Sequence, residues 1–257
     1  GKGITYSHCR DFFEKNHISY SALTTRDIID VKKNVIICSK ENINTEDVDY
    51  LIISPGINPN NLMLQKIMNL QCKVVTDIEI LQSLSKSKFI CVSGTNGKTS
   101  TVNLISDILI DNDIKSIACG NNGVSVFEAL KDSYDYVILE LSSYQLEYIK
   151  KLKSYISIIL NLSSDHLERH KTMDIYFHTK LKIFTNAEHS IVNKDLNGLK
   201  QYSTFEVKNK KFYLDNIPID GLSCENNQII FESKSYILHG QHESLNLCAC
   251  ISVIRHI

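Results

Sequence analysis

Hydrophobic and polar positions alternate along this chain in blocks that predict strands and helices in turn. Apolar runs of strand length occur at residues 34–38, 49–57, 73–76, 88–93, 115–119, 134–139, 155–160 and 190–193. Apolar residues at helical spacing occur at residues 60–69, 77–84, 102–110 and 173–184. Because strands that alternate with helices are typical of parallel sheets, the pattern predicts an α/β fold.

The pattern changes towards the end of the chain. Residues 205–239 carry short strand-like pieces, at 211–214, 228–232 and 236–238, separated by Asn and Gly turns. This spacing predicts a small antiparallel sheet, after which a helix is predicted from residue 240 to Ile257. The polar segment at residues 85–88 is the predicted boundary between two domains, residues 1–87 and 88–257.

One turn in the second predicted domain has the composition of a phosphate-binding loop. The run at residues 88–93 leads into Gly94-Thr-Asn-Gly97-Lys98-Thr99, and helical periodicity follows. In such a loop the lysine reaches the terminal phosphates and the threonine hydroxyl binds Mg²⁺, while the glycines let the backbone approach the oxygens. Val92 stands where the usual pattern has another glycine, so this is a variant loop. The alternative is a chance Gly-Lys-Thr in a surface turn.

Two further predicted strands end in side chains that suit a metal ion. Glu140 closes one buried-type strand, and His166 follows the next. Since the carboxyl ends of parallel strands meet at one edge, the sequence predicts that both side chains lie beside Lys98. We expect Glu140 to bind Mg²⁺, and the alternative is a solvated acid at a strand end. Asn121, in a Gly/Asn turn after the strand at 115–119, is either a ligand-binding amide or part of a plain turn.

Two residues have a competing interpretation. His166 and His170 are four residues apart, a spacing typical of helical zinc sites, but no third ligand has helical spacing nearby. For Lys180, composition alone predicts an ordinary surface lysine.

The first predicted domain carries two weaker signals of a nucleotide site. Gly1-Lys-Gly3 runs into a helical segment, as in dinucleotide-binding units, but Tyr6 replaces the third glycine and no acidic residue ends the second strand. A dinucleotide-dependent hydride enzyme is therefore not expected. Ser54-Pro-Gly56 follows a predicted strand, where a small turn can pass close to a phosphate or sugar, and an ordinary type II turn is the alternative.

Charge and cysteine usage limit the partners and the compartment. The chain has 257 residues, a formal net charge of -1 and eight cysteines. The balanced charge argues against nucleic acid and membrane surfaces and favours a small-molecule partner. Scattered cysteines without a Cys-x-x-Cys pair predict buried, reduced thiols, and no apolar run has the length of a membrane span. These features predict a cytoplasmic protein, which we expect to be a monomer.

The motifs together resemble those of the Mur ligases, which make peptidoglycan precursors. The matching stretches are Gly94–Thr99, Glu140-Leu-Ser-Ser-Tyr-Gln-Leu146, Asn161-Leu-Ser-Ser-Asp-His166-Leu-Glu-Arg169 and Gly240-Gln-His242. With Ser54-Pro-Gly-Ile57 and Asp77-Ile-Glu79, they are most similar to the members that add D-glutamate to UDP-N-acetylmuramoyl-L-alanine. The resemblance spans essentially the whole chain. It implies an N-terminal Rossmann-like domain and a central P-loop ATPase-type domain.

The resemblance implies ATP-driven amide formation with Mg²⁺ as cofactor. In this chemistry ATP converts a carboxylate of UDP-N-acetylmuramoyl-L-alanine into an acyl phosphate, and the amine of D-glutamate displaces phosphate. The implied catalytic residues are Lys98, Glu140, His166 and Lys180. The implied metal ligands are Thr99, Glu140, His166 and a carbamylated Lys180.

Two sets of binding residues also follow from the resemblance. Positions that match the ATP site are Gly94, Thr95, Asn96, Gly97, Lys98, Thr99, Ser100 and Asn246. Positions that match the UDP-substrate site are Ile4, Thr5, Thr25, Arg26, Ser54, Pro55, Gly56, Asn121 and Ser142. Two positions depart from the family pattern: Thr24 stands where an acid commonly contacts the uracil, and Glu243 follows His242 where the family has asparagine.

The ends of the chain predict a fragment. It starts on Gly1 without an initiator Met and stops within a predicted helix. We expect that a first strand and the family's C-terminal domain are missing, and that this chain binds nucleotide or UDP-substrate weakly without ligating. The alternatives are another Mur ligase, a folylpolyglutamate-type synthetase, or a non-catalytic nucleotide-binding relative of one.

Overall fold

The structure is a computed structural model that describes most of the second predicted domain and parts of the first. The described residues are 4–20, 22–24, 35–37, 49–61, 64–65, 73–193, 210–213, 222–225, 228–231, 234–237 and 241–257. The predictions for Gly1–Gly3, Thr25, Arg26 and most of residues 60–69 lie outside them.

Among the residues that the structure describes in the first part of the chain are two longer helices and two pairs of parallel strands. Their bounds are α1 Ile4–Lys15, β1 Ala22–Thr24, β2 Val35–Ile37, β3 Tyr50–Ile52, β4 Lys73–Val75 and α2 Asp77–Leu84. β1 pairs with β2, and β3 pairs with β4, both in parallel. Ile4 and Thr5, predicted to lie near a uridine diphosphate, form the first turn of α1.

The helix predicted at residues 77–84 is confirmed, and its sequence explains where it begins. Thr76 caps α2, because the N–H of Glu79 donates to Thr76 Oγ1 and the N–H of Thr76 donates to Glu79 Oε2. This reciprocal pair satisfies two donors that a helix start leaves without partners. Glu79 Oε1 also accepts from the backbone N–H groups of Lys150 and Lys151, both at 3.1 Å, so the same carboxylate ties α2 to the second part of the chain.

A parallel sheet of six strands forms the second part of the chain. Its strands are β5 Lys88–Ser93, β6 Ser116–Gly120, β7 Tyr136–Glu140, β8 Ser154–Ile159, β9 Ala187–Asn193 and β10 Lys210–Tyr213. The helices around it are α3 Lys98–Asp111, α4 Ser143–Tyr148, α5 Leu167–His170, α6 Met173–Leu181 and α7 Gln241–Ile254. The strand order is β10-β9-β8-β5-β7-β6, so β5, which precedes the predicted phosphate loop, is central.

Alternating side chains of the central strands divide the core into two layers. Phe89 and Cys91 of β5 face one layer, with α2 and α6, whereas Ile90 and Val92 face the other, with α3 and α7. A strand buried on both faces needs apolar residues at every position, which explains the unbroken apolar runs in the sequence. Helices cover both faces of the sheet, so a ligand can approach at the ends of the strands. The row of carboxyl ends is called the edge of the sheet below.

The small antiparallel sheet is confirmed, with one correction. β11 Leu222–Glu225, β12 Gln228–Phe231 and β13 Lys234–Ile237 form it. The segment at residues 211–214, predicted to belong to the same sheet, was assigned wrongly: β10 pairs in parallel with β9 and extends the large sheet. A short apolar run predicts a strand but carries no information about its partner, and the edge of β9 was available.

Two sequence expectations concern cysteines and membrane spans. Cys9, Cys91, Cys119 and Cys250 are free and buried, and burial raises the pKa of the Cys9 and Cys119 thiols to about 12. Within the described ranges, no helix is both long enough and apolar enough to cross a bilayer.

Candidate active site

The loop between β5 and α3 leaves the start of a helix without a side-chain cap. Gly97 precedes α3 with a φ of 81°, a left-handed conformation that glycine adopts without strain, and this N-cap position provides no side-chain capping bond. A Cβ atom on Gly97 would collide with the side-chain amide of Asn246. The N–H groups of a helix start, together with its dipole, attract anions, so this loop fits phosphate.

Lys98, the first residue of α3, folds back over the loop. Its Nζ donates to the carbonyl oxygens of Gly94 at 3.0 Å and Thr95 at 2.8 Å. Partial burial lowers the pKa of Lys98, while the negative charges of Glu140 and Asp165 oppose this shift. The ammonium is thus held at the mouth of the loop by neutral acceptors, which a phosphate oxygen can replace.

Glu140, the last residue of β7, is a buried carboxylate beside the loop. It is 1% exposed, and its Oε2 accepts from Thr99 Oγ1 at 2.7 Å. Its Oε1 accepts from Asn121 Nδ2 at 2.8 Å. The alternative of a solvated strand-end acid is therefore wrong. This bond places Asn121 beside Glu140, and its role towards the UDP-substrate stays a prediction.

Lys180 of α6 is a second buried charge at the same edge. It is 2% exposed, so the composition-based prediction of a surface lysine is wrong. Its Nζ donates to Gly94 O at 2.8 Å and to Ser93 Oγ at 3.2 Å, and lies 5.0 Å from the centre of the Tyr176 ring. Burial, followed by the positive charge of Lys98, lowers the pKa of Lys180 to about 7.

The segment that follows β8 holds the phosphate loop in place. Asn161 Oδ1 accepts from the backbone N–H groups of Thr95 at 3.1 Å and Asn96 at 2.9 Å, and Asn161 Nδ2 donates to Asn96 O at 2.9 Å. Thr95 Oγ1 lies 3.1 Å from the hydroxyl of Tyr176. The residue-level sequence reasoning gave Asn161 and Tyr176 no site role. Their positions in the matched motif and on the Lys180 face of the predicted helix were the available signals.

His166 lies at the same edge, one aromatic ring away from the loop. It has a φ of 53°, and its Nδ1 lies 3.4 Å from the hydroxyl of Tyr144. Its ring centre is 4.9 Å from that of Tyr144 and 6.4 Å from that of Tyr176, which contacts Thr95. The structure therefore brings His166 to the predicted edge without a direct contact to Glu140.

The remaining predicted residues divide between the loop and the first part of the chain. Asn246 is 7% exposed, and its Oδ1 has no hydrogen-bond partner in the part of the chain that the structure describes, as expected of an atom reserved for a ligand. Ser142 caps α4 through the N–H of Gln145. Ser54-Pro55-Gly56 forms a turn after β3, closed by a bond from the N–H of Ile57 to Ser54 O at 3.1 Å.

The residues at this edge fit Mg²⁺ by their chemistry. Thr99 and Glu140 offer neighbouring oxygen ligands, which hard divalent cations prefer. Among the described residues no group of three His, Cys, Asp or Glu side chains is arranged for a metal. His170 Nε2 instead lies 3.0 Å from Ser143 Oγ.

Comparison with known proteins decides the family. The profile of the Mur ligase middle domain matches residues 92–254. The chain belongs to the Mur ligase family. The resemblance inferred from its motifs is therefore confirmed, and the match includes every loop and strand end described above for the second part of the chain.

Several curated relatives of this Mur ligase chain carry the same name. The UDP-N-acetylmuramoylalanine--D-glutamate ligase of Haemophilus ducreyi is 30% identical over 98% of this chain and 60% of its own length. The enzymes of the same name from Leptospira interrogans strain Fiocruz L1-130 and Rickettsia bellii are each 34% identical, over 82% and 88% of this chain and 48% and 54% of their own lengths. The chain thus spans about half to three fifths of the length of these relatives.

Solved Mur ligases share the fold. The UDP-N-acetylmuramate:L-alanyl-gamma-D-glutamyl-meso-diaminopimelate ligase from Neisseria meningitides aligns with a TM-score of 0.58 at 13% identity, over 95% of this chain and 87% of that chain. MurF from Thermotoga maritima, solved in complex with ADP, gives 0.52 at 16% identity, over 96% and 56%. At these identities the likeness concerns the fold alone, and it confirms the predicted α/β class.

Proposed function

We propose that this chain forms the nucleotide-binding and UDP-sugar-binding part of an ATP-dependent ligase that adds D-glutamate to UDP-N-acetylmuramoyl-L-alanine. The observation that carries the proposal is the meeting of Lys98, Thr99, Glu140 and Lys180 at one edge of the sheet. The names of the curated relatives support the choice of substrates. In this proposal the protein acts as a cytoplasmic monomer, with neither nucleic acid nor a membrane as a partner.

The proposed reaction activates a carboxylate, which is by itself a poor electrophile. An oxygen of the L-alanyl carboxylate attacks the γ-phosphorus of ATP, and ADP leaves with the electrons of the broken P–O bond. The amine of D-glutamate then attacks the acyl carbon, and phosphate leaves from the tetrahedral intermediate. Lys98 offsets the negative charge that spreads over the transferring phosphoryl group, so the protein contributes positioning and electrostatics.

Two pairs of residues are proposed as metal ligands. Thr99 Oγ1 and Glu140 would hold the Mg²⁺ of the nucleotide, since they already share a hydrogen bond. His166 and Lys180 are proposed for a second Mg²⁺. A lowered pKa keeps a large fraction of Lys180 neutral near pH 7, and the neutral amine is the form that reacts with CO₂ to give a carbamate, an oxygen ligand. Bound Mg²⁺ would supply charge neutralisation at the phosphates.

Binding measurements on this chain test the proposal. Calorimetric titration should show a non-hydrolysable ATP analogue binding only with Mg²⁺, and UDP-N-acetylmuramoyl-L-alanine binding more tightly than UDP-N-acetylmuramate. In the whole protein that carries this chain, phosphate release from ATP should require D-glutamate and fail with L-glutamate. Nucleotide binding that is independent of Mg²⁺, or equal affinity for the two UDP-sugars, would count against it.

A further inference from the structure

An arginine three residues after His166 bonds to the Ser54-Pro55-Gly56 turn. Arg169 lies in α5, and its side chain is 7% exposed. Its Nη2 donates to Pro55 O at 3.1 Å, and its Nη1 donates to Gly56 O at a long 3.5 Å. One guanidinium thus contacts two consecutive carbonyl groups that belong to the first part of the chain.

The guanidinium is itself held in place from two sides. Glu147 Oε2 accepts from Arg169 Nε at 2.9 Å and from Nη2 at 2.7 Å. The guanidinium carbon lies 4.6 Å from the ring centre of Tyr144 and 5.9 Å from that of Tyr148. A planar, multi-donor group that is paired and stacked loses little additional freedom when it binds a third partner, so it is suited to fix a loop.

The turn is fixed by its carbonyl groups. Ser54 O accepts from the N–H of Ile57 at 3.1 Å, and Ile57 O accepts from the hydroxyl of Tyr148 at 2.7 Å. With the two bonds from Arg169, each of the four carbonyl groups of residues 54–57 accepts a hydrogen bond. Carbonyl oxygens repel phosphate, and donors of α4 and α5 engage the carbonyl groups of residues 55–57, which are then not free to face an anionic ligand.

The same two helices contact each other beside His166. The hydroxyl of Tyr144 in α4 donates to Glu168 in α5 at 3.0 Å, and the Tyr144 ring packs against His166. The contacts to the turn therefore begin on elements that also carry the predicted metal ligand. A displacement of the turn relative to this edge would change the distance between the two proposed substrates.

We propose that Arg169 is a positioning residue for the UDP-sugar, and that with Glu147 and Tyr148 it forms a turn clasp that holds residues 54–57 against the nucleotide-binding edge. The identity of the ligand in this inference rests on the proposed function. The clasp does not touch the substrate. It acts by fixing the turn, so its loss should affect UDP-sugar binding and leave ATP binding almost unchanged.

The test compares Arg169→Lys with Arg10→Lys in this chain. Arg169→Lys keeps the positive charge near Glu147 but removes the planar guanidinium with its several N–H donors. It should weaken binding of UDP-N-acetylmuramoyl-L-alanine about tenfold. The affinity for the ATP analogue with Mg²⁺ should stay within about twofold, since the bonds of the Arg169 guanidinium to Glu147, Pro55 and Gly56 do not involve the phosphate loop. Arg10, whose half-exposed side chain pairs with neighbouring Asp11 at 2.6 Å, is the matched control and should change neither affinity.

A second readout does not depend on any ligand. Hydrogen–deuterium exchange of the amide of Ile57 should accelerate about tenfold in Arg169→Lys, whereas the peptide that covers the phosphate loop should exchange as in the wild type. Tyr148→Phe, which removes only the bond to Ile57 O, should give the same pattern with a smaller amplitude. It also serves as the test if Arg169→Lys folds poorly.

Three outcomes separate the clasp from the proposed function. Faster exchange at residues 54–57 together with a selective loss of UDP-sugar affinity supports the clasp. Unchanged exchange in both variants, or an equal loss of affinity for both ligands, overturns it while leaving the proposed function intact. A wild-type chain that binds no UDP-sugar overturns the proposed function and, with it, the assignment of Arg169 to that ligand.

Discussion

The two ends of the same parallel sheet treat charge in opposite ways. At the carboxyl ends of the strands, Glu140 and Lys180 are 1% and 2% exposed and bond to groups of the phosphate loop. At the amino ends, the charged side chains of Lys88, Lys115 and Asp135 are exposed. The strands that separate these ends are buried and apolar. Among the described side chains at the two ends, the buried charges of Glu140 and Lys180 thus lie at the carboxyl end.

At the amino ends of the strands, the charged side chains make contacts while they stay exposed to water. Asp135 Oδ2 accepts from the N–H of Lys115 at 3.1 Å, and Lys88 Nζ lies 4.4 Å from the ring centre of Tyr155. These contacts border an open groove of about 730 Å³, and they leave the charges in water. An exposed charge costs the folded state little free energy, whereas burying an ion costs on the order of several kcal/mol. Buried charges with shifted pKa values cluster at functional sites, which supports the proposal that this end of the sheet binds the nucleotide.

The largest expected effect distinguishes two lysines on either side of β5. Lys98→Ala removes the ammonium at the mouth of the loop and should weaken binding of the ATP analogue about 100-fold or more, because a charge-assisted contact to phosphate is lost. Lys88→Ala, at the other end of the same strand, should leave that affinity unchanged. Titration calorimetry with Mg²⁺ measures both, and equal effects would remove the difference between the two ends.

A pH dependence of stability is the second prediction. The pKa of Lys180 is lowered from its usual 10.5 to about 7 by burial, so between these pH values the unfolded chain binds a proton that the folded chain lacks. The free energy of unfolding should therefore rise with pH between about 7 and 10.5, by at most about 1.4 kcal/mol per pH unit. Below pH 7 both states carry the proton, so Lys180 should add no pH dependence there.

Lys180→Met isolates that contribution. Urea unfolding of the wild type and of Lys180→Met at pH 7 and pH 9, in CO₂-free buffer, should show a rise that the variant lacks. Lys88→Met is the control, since its ammonium is in water before and after unfolding. Parallel pH profiles for all three proteins would mean that the buried amine carries its proton throughout.

A smaller effect is expected from removing one negative charge at each end. Glu140→Gln keeps the shape of the side chain but removes its charge, so the dependence of nucleotide affinity on Mg²⁺ should weaken about tenfold. Asp135→Asn, which changes the residue just before the amino end of β7, should not alter the Mg²⁺ dependence. Titrating Mg²⁺ at a fixed concentration of ATP analogue provides the comparison, and an unchanged Mg²⁺ dependence in Glu140→Gln would exclude this carboxylate as the ligand.

The smallest predicted effect concerns two tyrosine hydroxyls. Tyr176→Phe removes the contact to Thr95 Oγ1 at 3.1 Å and should weaken nucleotide binding about threefold, in line with one neutral hydrogen bond. Tyr155→Phe removes a 2.7 Å bond to His256 O at the opposite end and should leave nucleotide binding unaffected. Fluorescence titration with a labelled ATP analogue resolves a difference of this size, and equal losses would assign the effect to stability.

Local patterns were sufficient to predict the elements that build the edge. Three patterns depend only on neighbouring residues. The apolar run before Gly94 forms β5, the helical periodicity after Lys98 forms α3, and the 134–139 run that ends in an acid forms β7. The division into domains at residues 85–88 and the roles of the site residues stay predictions.

Contacts between distant segments could not be read from the sequence alone. Lys180 is buried because α6 packs across the end of β5, 87 residues earlier in the chain, and composition favoured the surface. Asn161 and Arg169 act through bonds to segments 65 and 114 residues away. The sheet predicted for β10 was wrong for the same reason, since strand pairing depends on which outer strand is free to pair.

The location of a divalent cation tests the central claim most directly. Crystals grown with a non-hydrolysable ATP analogue and Mn²⁺ should give an anomalous difference peak within about 2–2.3 Å of Thr99 Oγ1, next to Glu140 and the phosphates above Gly97. A peak only in the groove at the amino ends of the strands, or a nucleotide bound away from residues 94–99, would contradict the account.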